Sequence, residues 1–170
     1  MYERLSALNQ IAAFALSISD ELNTALSERF DRSHSEIETL VSVRHCDTFT
    51  VGWLGEVLNL THSAAVRIAD RLERDELIRR TPQTNRRFVG LVLTPAGIEL
   101  ADEILSTRRE VLERLFGDLD DRAVQRALPV FRRILSQNSG GQVTSYQRCR
   151  LCDEAICGDR CPVQQAFGSR

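Results

Sequence analysis

The sequence predicts a mainly α-helical chain centred on a winged helix-turn-helix, with a small β-hairpin wing, long helices on either side and a short Cys-rich tail. Three observations carry this. Apolar residues recur at three- and four-residue steps through most of the chain. Two such segments are separated by the tight polar turn Asn59-Leu60-Thr61. Two short β-type runs then bracket a basic, turn-forming stretch.

From Tyr2 to Phe30 the positions Leu5, Leu8, Ile11, Ala12, Ala15, Ile18, Leu22, Ala25 and Leu26 share one helical face, which predicts a long amphipathic helix. A second helix is expected from a cap at Ser35 to Arg44, with Ile37, Leu40, Val41 and Val43 inward and a polar break at Asp47 and Thr48. Thr50 caps a short helix to Leu58 that is weakened by Gly52 and Gly55. His62 to Arg74 follows, with Ala65, Ile68, Ala69 and Leu72 on one face and Arg67, Arg71 and Arg74 elsewhere. Leu77-Ile78 and Val89 to Leu93 are the strands of a hairpin whose connection, Arg79 to Arg87, contains Pro, Asn and four Arg. Thr94-Pro95 pairs a cap with Pro at the first helical position and opens a helix to Phe116 that Gly117 ends. A last helix is expected from Asp121 to Ser136, kinked or split at Pro129.

At 170 residues and 42% hydrophobic content the chain can bury one core and carry an appendage. A net charge of -2 gives no general attraction to nucleic acid, so a DNA-binding surface must be locally basic. All 22 basic side chains are Arg, spread over every segment, which fits a GC-rich coding bias as well as any function. Met1 to Gln10 has no apolar core of a signal peptide, and no run spans a bilayer, so a soluble cytoplasmic protein without a membrane partner is expected. No G-x-S-x-G, H-E-x-x-H or Walker pattern occurs, which argues against an enzyme.

A helix-turn-helix places its second helix in the major groove while the first braces it across the backbone. Arg67, Arg71 and Arg74 are candidates for phosphate and base-edge contact; the competing reading is a solvated face paired with Asp70, Glu73, Asp75 and Glu76. Arg86 and Arg87 at the wing tip are placed to reach a narrow minor groove, whose negative potential attracts Arg. His62 is a candidate phosphate contact.

The run Leu60 to Arg80, then Asn85-Arg86-Arg87 and Leu93-Thr94-Pro95-Ala96-Gly97, resembles the MarR family of bacterial regulators, closely over Thr50 to Gly97 and in helix order up to Ser136. The resemblance implies a homodimer that binds double-stranded DNA at a pseudo-palindromic operator, most simply as a repressor. It implies dimerisation helices at 1–33 and 98–136 and a DNA-binding lobe at 35–94, within a domain of residues 1–136. Carried over by position, Ser63, Ala64, Val66 and Arg67 face bases and Arg87 enters the minor groove. With the flanking residues the DNA-binding set is Thr61, His62, Ser63, Ala64, Val66, Arg67, Arg71, Asn85, Arg86 and Arg87. Ala64 and Val66 stand where hydroxyl residues are common, and Asn85 where the family usually has Asp, so the operator preference is expected to be unusual. A small-molecule effector is a further expectation of the resemblance.

Beyond a linker at 137–148, with the hinge Asn138-Ser139-Gly140-Gly141, comes Cys149-x2-Cys152-x4-Cys157-x3-Cys161, then a tail at 162–170. Four thiols in so short a loop fit one tetrahedral Zn ion, the first reading. An iron–sulfur cluster is the alternative, although the middle spacing departs from ferredoxin ligation, and free or disulfide-linked thiols come third. Cys46, alone, is read as a packed residue. A metal- or partner-binding adaptor acting through the tail is the other functional reading.

Overall fold

The computed structural model describes residues 2–46, 49–82, 89–138 and 140–168. The chain runs α1 (Tyr2–Phe30), α2 (His34–Arg44), α3 (Val51–Leu58), α4 (His62–Arg74), β1 (Ile78–Pro82), β2 (Val89–Leu93), α5 (Pro95–Phe116), α6 (Asp121–Gln137) and α7 (Gln142–Cys149). It ends with α8 (Glu154–Cys157), a 3-10 turn (Gly158–Arg160) and α9 (Pro162–Gly168). The mainly α-helical winged architecture read from the sequence is therefore present. Among the described residues no helix is long and apolar enough to cross a membrane.

α2 lies at the centre of the lobe, buried from Glu36 to Val43. Its cap is Ser33 rather than Ser35: Ser33 accepts from the Glu36 amide, and the Glu36 carboxylate accepts from the Ser33 amide at 3.0 Å. This Ser-x-x-Glu box satisfies two orphan amides at once, which is why it wins over a cap two residues later. Leu26, Ile37, Leu40, Phe49, Leu54, Leu72, Ile78, Leu91 and Ile104 are fully or almost fully buried and join α1 to α5 and the hairpin in one core.

β1 and β2 pair antiparallel in the register Ile78↔Leu93, Arg80↔Leu91 and Pro82↔Val89. Thr50 bridges to Gly90, and the Leu91 amide donates to the Phe49 carbonyl at 2.7 Å, so the chain just before α3 adds a rudimentary third strand. The hairpin is thereby tied to the start of the helix-turn-helix.

The α1 face expected to be inward is buried only at its C-terminal end, at Leu22 and Leu26, while Leu5, Leu8 and Ile11 are exposed. α6 runs unbroken through Pro129, so the helix is not split there. It has no buried residue, so water can take the carbonyl that the missing amide leaves free. The region read as linker contains α7, and the tail after Cys161 contains α9; α7 packs on α3, and α9 packs on α6 and α7.

Candidate nucleic-acid interface

Thr50 caps α3 by accepting from the Trp53 amide at 3.2 Å, and α3 stops at Asn59, which adopts the left-handed conformation, φ 52°. The Leu60 amide then returns to the Gly55 carbonyl at 2.8 Å. Gly55 is the close-approach residue of the turn: a Cβ there would lie 3.3 Å from the Leu60 carbonyl oxygen and 3.9 Å from Ala65 Cβ. Thr61 caps α4, accepting from the Ala64 amide at 3.3 Å. Ala65, Ala69 and Leu72 fasten α4 to the core, which turns the opposite side outward.

Thr61, His62, Ser63, Arg67, Arg71 and Arg74 are exposed along that outer side, and Ala64 and Val66 are half-buried beside it. Ser63, Arg67, Arg71 and Arg74 recur at steps of four, four and three and so form one stripe. His62 and Val66 also line a groove with Thr50, Trp53, Glu56 and Arg80. Asn85, Arg86 and Arg87 lie outside the described residues.

The acids of α4 do not pair with the basic stripe as the competing reading requires. Arg80 of β1, half-buried, reaches back across α4: its Nη2 donates to Asp70 at 2.7 Å, its Nη1 is paired with Glu73, and its amide donates to Glu73 at 3.1 Å. Burial works against the charge of Arg80, but the Asp70 and Glu73 carboxylates outweigh it and raise the guanidinium pKa above its ordinary value. Asp75 is taken by Arg32 at 2.7 Å. Arg71 keeps one partner, Glu36, at 3.6 Å. Among the described residues Arg67 and Arg74 have no ion pair. The acidic side chains are thus neutralised from the flanks, and the outward stripe is left net positive. In the sequence Arg80 is hidden among the wing arginines, yet its place in β1 makes it the brace between wing and helix.

The C-terminal segment is docked on the same lobe. Tyr146 of α7 stands edge-on to Trp53 with ring centroids 5.0 Å apart, and Gln147 Nε2 donates to the Glu56 carbonyl at 3.0 Å. Arg150 is ion-paired with Glu38 of α2, which is buried and also bonded to His34 Nε2 at 2.9 Å. Burial pushes the Glu38 carboxyl up, but His34 and Arg150 hold it below its ordinary value. A carboxylate with a depressed folded pKa contributes its stabilisation above the ordinary carboxylate range and loses it as pH falls through the folded value. Acidification below that range is therefore expected to release Arg150 and loosen α7, read as a change in Trp53 emission that Glu38→Gln brings about already at neutral pH.

The neighbouring Cys152 thiol, with burial and Cys161, raises the Cys149 pKa, whereas proximity to Cys149 lowers that of Cys152 to about 7 despite burial. Cys157 is exposed and Cys161 buried. Among the described residues no three His, Cys, Asp or Glu side chains stand in an arrangement ready to hold a metal ion. Cys46 is half-buried against the core, beside the Tyr146 hydroxyl.

Residues 33–89 match the model of the MarR family. Over 101 residues the chain is 28% identical to the HTH-type transcriptional repressor MdtR of Bacillus subtilis, a stretch covering 59% of this chain and 65% of that one, just under two thirds. The YusO protein of Bacillus subtilis superposes with a TM-score of 0.63 at 26% identity, over 79% of this chain and 96% of that one. A MarR family protein from Bacillus stearothermophilus, at 17% identity, shares the fold with a TM-score of 0.71 over 81% of this chain and 96% of its own. The matched segment 33–89 takes in the capped α2, the helix-turn-helix and the Arg80 brace; over it the chain is similar to the MarR family, and the fold around it is shared with a MarR family protein of known structure.

Proposed function

We propose that the chain is a cytoplasmic transcriptional regulator, a repressor, that binds a pseudo-palindromic operator in double-stranded DNA as a homodimer. The observation that carries this reading is the stripe Ser63, Arg67, Arg71 and Arg74, from which flanking Arg residues have drawn off the α4 carboxylates. A free guanidinium on the outer face of such a helix is suited to phosphates and to the O6 and N7 of guanine. Ala64 and Val66, half-buried, offer apolar surface to thymine methyl groups. The wing residues Asn85, Arg86 and Arg87 complete the reading at the minor groove. The relatives are regulators rather than enzymes.

A homodimer is supported by the apolar side chains left in water on α1 and α6, among them Leu5, Leu8, Ile11, Phe131 and Ile134. A small-molecule effector would find a cavity of about 270 Å³ between α2, α5 and the C-terminal segment, lined by Arg44, His45, Leu105 and Arg109. On this reading Cys149, Cys152, Cys157 and Cys161 form the regulatory end of the molecule.

The test is a gel shift on the DNA upstream of the protein's own gene at fixed salt. Wild type is expected to retain a specific fragment. Arg67→Ala and Arg87→Ala are each expected to weaken binding by about 1–3 kcal/mol, roughly 5- to 150-fold. Retention of partner proteins with no DNA would favour the adaptor reading, and unchanged affinity in Arg67→Ala would remove the stripe from the interface.

A further inference from the structure

The four cysteines occupy the bends of the C-terminal arm: Cys149 ends α7, Cys157 ends α8, Cys161 directly precedes α9, and Cys152 lies in the turn after α7. The backbone already folds round them, the Cys152 amide donating to the Cys149 carbonyl at 2.8 Å and the Cys161 amide to the Gly158 carbonyl at 3.1 Å. Cys149 is a neighbour of both Cys152 and Cys161, and Cys157 lies within electrostatic reach of Cys152 and Cys161. The arm has almost no core of its own, since Cys161 and Val163 are its buried apolar side chains among the described residues. Small folds of this kind need a staple.

The arm also joins two parts of the molecule. At one end Tyr146, Gln147 and Arg150 hold α7 on α3 and α2. At the other, Ser136 Oγ donates to the Pro162 carbonyl at 3.3 Å and Arg132 to the Arg160 carbonyl at 2.7 Å, fastening α9 to α6. The thiols lie between these two anchorages. We propose that Cys149, Cys152, Cys157 and Cys161 bind one Zn(II) ion, and that the ion, by fixing the arm, holds α7 against the helix that braces α4.

Four thiolates around one divalent cation satisfy tetrahedral coordination, and the ion displaces the thiol protons to solvent with no change of oxidation state. The resulting centre carries two net negative charges, and Arg108 and Arg150 lie near Cys152 to offset them. The thiols are neighbours, but among the described residues they do not converge on a single point. Closure falls to the exposed Cys157, which is followed by Gly158 at φ 51°, where nothing lies within 4 Å of the Cβ position. A left-handed glycine in open space is a joint on which α8 can turn. The metal centre stands independently of DNA binding; only its regulatory consequence rests on the proposed regulator function.

The experiment uses the full chain, purified under reductant, stripped with a chelator and titrated with Zn(II), and in parallel with Co(II). Trp53 is the single Trp of the chain and touches Tyr146, so its emission reads the docking of α7 directly. The expected result is one ion per chain, thiolate-to-cobalt charge transfer with tetrahedral d–d bands, and a Trp53 emission change that saturates at one equivalent. Cys157→Ser, at an exposed position that leaves the fold intact, is expected to weaken Zn(II) by more than the roughly 10–100-fold that loss of an outer-shell partner costs. Absence of stoichiometric uptake, unchanged affinity in Cys157→Ser, or visible absorption with acid-labile sulfide in the protein as purified would each overturn the Zn(II) centre. Uptake that leaves Trp53 unaffected would overturn its coupling to α3. A chain that binds one Zn(II) yet retains promoter DNA neither loaded nor stripped would refute the regulator function and leave the centre standing.

Discussion

Gly97→Ala is expected to lower the melting temperature by roughly 6–12 °C, corresponding to about 3 kcal/mol in a chain of this length. Gly97 is in the first turn of α5, where three pieces of backbone meet. Glu76 turns the chain out of α4 in the left-handed conformation, φ 59°. The Leu77 carbonyl then accepts from the Thr94 amide at 3.0 Å, and the Thr94 hydroxyl donates to the Glu76 carbonyl at 2.6 Å while accepting from the Gly97 amide at 3.1 Å. A Cβ at Gly97 would fall 1.9 Å from the Leu77 carbonyl oxygen and 2.9 Å from its carbon. Both atoms are backbone, so no rotamer change relieves the contact, and α5 must lift off the junction and break the Thr94 bonds. Gly55→Ala is the control: its Cβ would meet the Leu60 carbonyl oxygen at 3.3 Å, a contact that a few tenths of an ångström relieves, and the gain in helix propensity offsets it. The measurement is thermal unfolding followed by circular dichroism. Equal melting of Gly97→Ala and wild type would mean that the α4–α5 junction is looser than its hydrogen bonds indicate.

That junction shows why the winged helix is legible in the sequence. Thr94-Pro95 and Gly97 act within a few residues of one another, as do Thr50 with Trp53 and Thr61 with Ala64, so local chemistry sets these helix starts. The periodic burial of Ala65, Ala69 and Leu72 is equally local. What the sequence conceals depends on pairings across the chain. Asp70 and Glu73 sit at helical spacing from the α4 arginines, and local reasoning pairs them there; the structure gives both to Arg80, which the hairpin carries back over α4. The docking of the C-terminal arm is longer in range still, through Arg150 to Glu38 and Gln147 to Glu56. Its composition, poor in aliphatic residues, reads as tail, and nothing within the arm signals that Tyr146 meets Trp53. The thiol spacing is visible in the sequence, whereas the arm's attachment to both α3 and α6 is not.

On the proposed homodimeric reading, Leu8→Glu combined with Ile11→Glu is expected to convert the protein from a dimer to a monomer and to lower operator affinity by roughly 10²- to 10⁴-fold, the range lost when a second linked contact disappears. Leu8 and Ile11, one turn apart on α1, are 48% and 46% exposed, with Leu5 further along at 57%. Of that helix Leu22 and Leu26 are buried and Phe30 packs against the core, all at its C-terminal end, and Phe14 makes an edge contact with Phe116, ring centroids 5.8 Å apart. A helix of 29 residues with most of its apolar face in water is costly unless a second surface covers it. In the proposed homodimer the exposed apolar residues of α6 in a second copy of the chain would supply that surface. Placing two carboxylates there forces either their burial without partners or dissociation, and dissociation is cheaper. The lobe should survive, because its buried cluster from Leu26 to Leu105 is complete within one chain. Sedimentation velocity distinguishes the 19.2 kDa protomer from a species of twice that mass, and circular dichroism checks that the variant stays folded. A variant that still sediments as a dimer would place the interface elsewhere. A folded monomer with undiminished operator affinity would mean that each lobe reads DNA alone, so that the pseudo-palindrome, rather than the dimer, is the part of the reading to abandon.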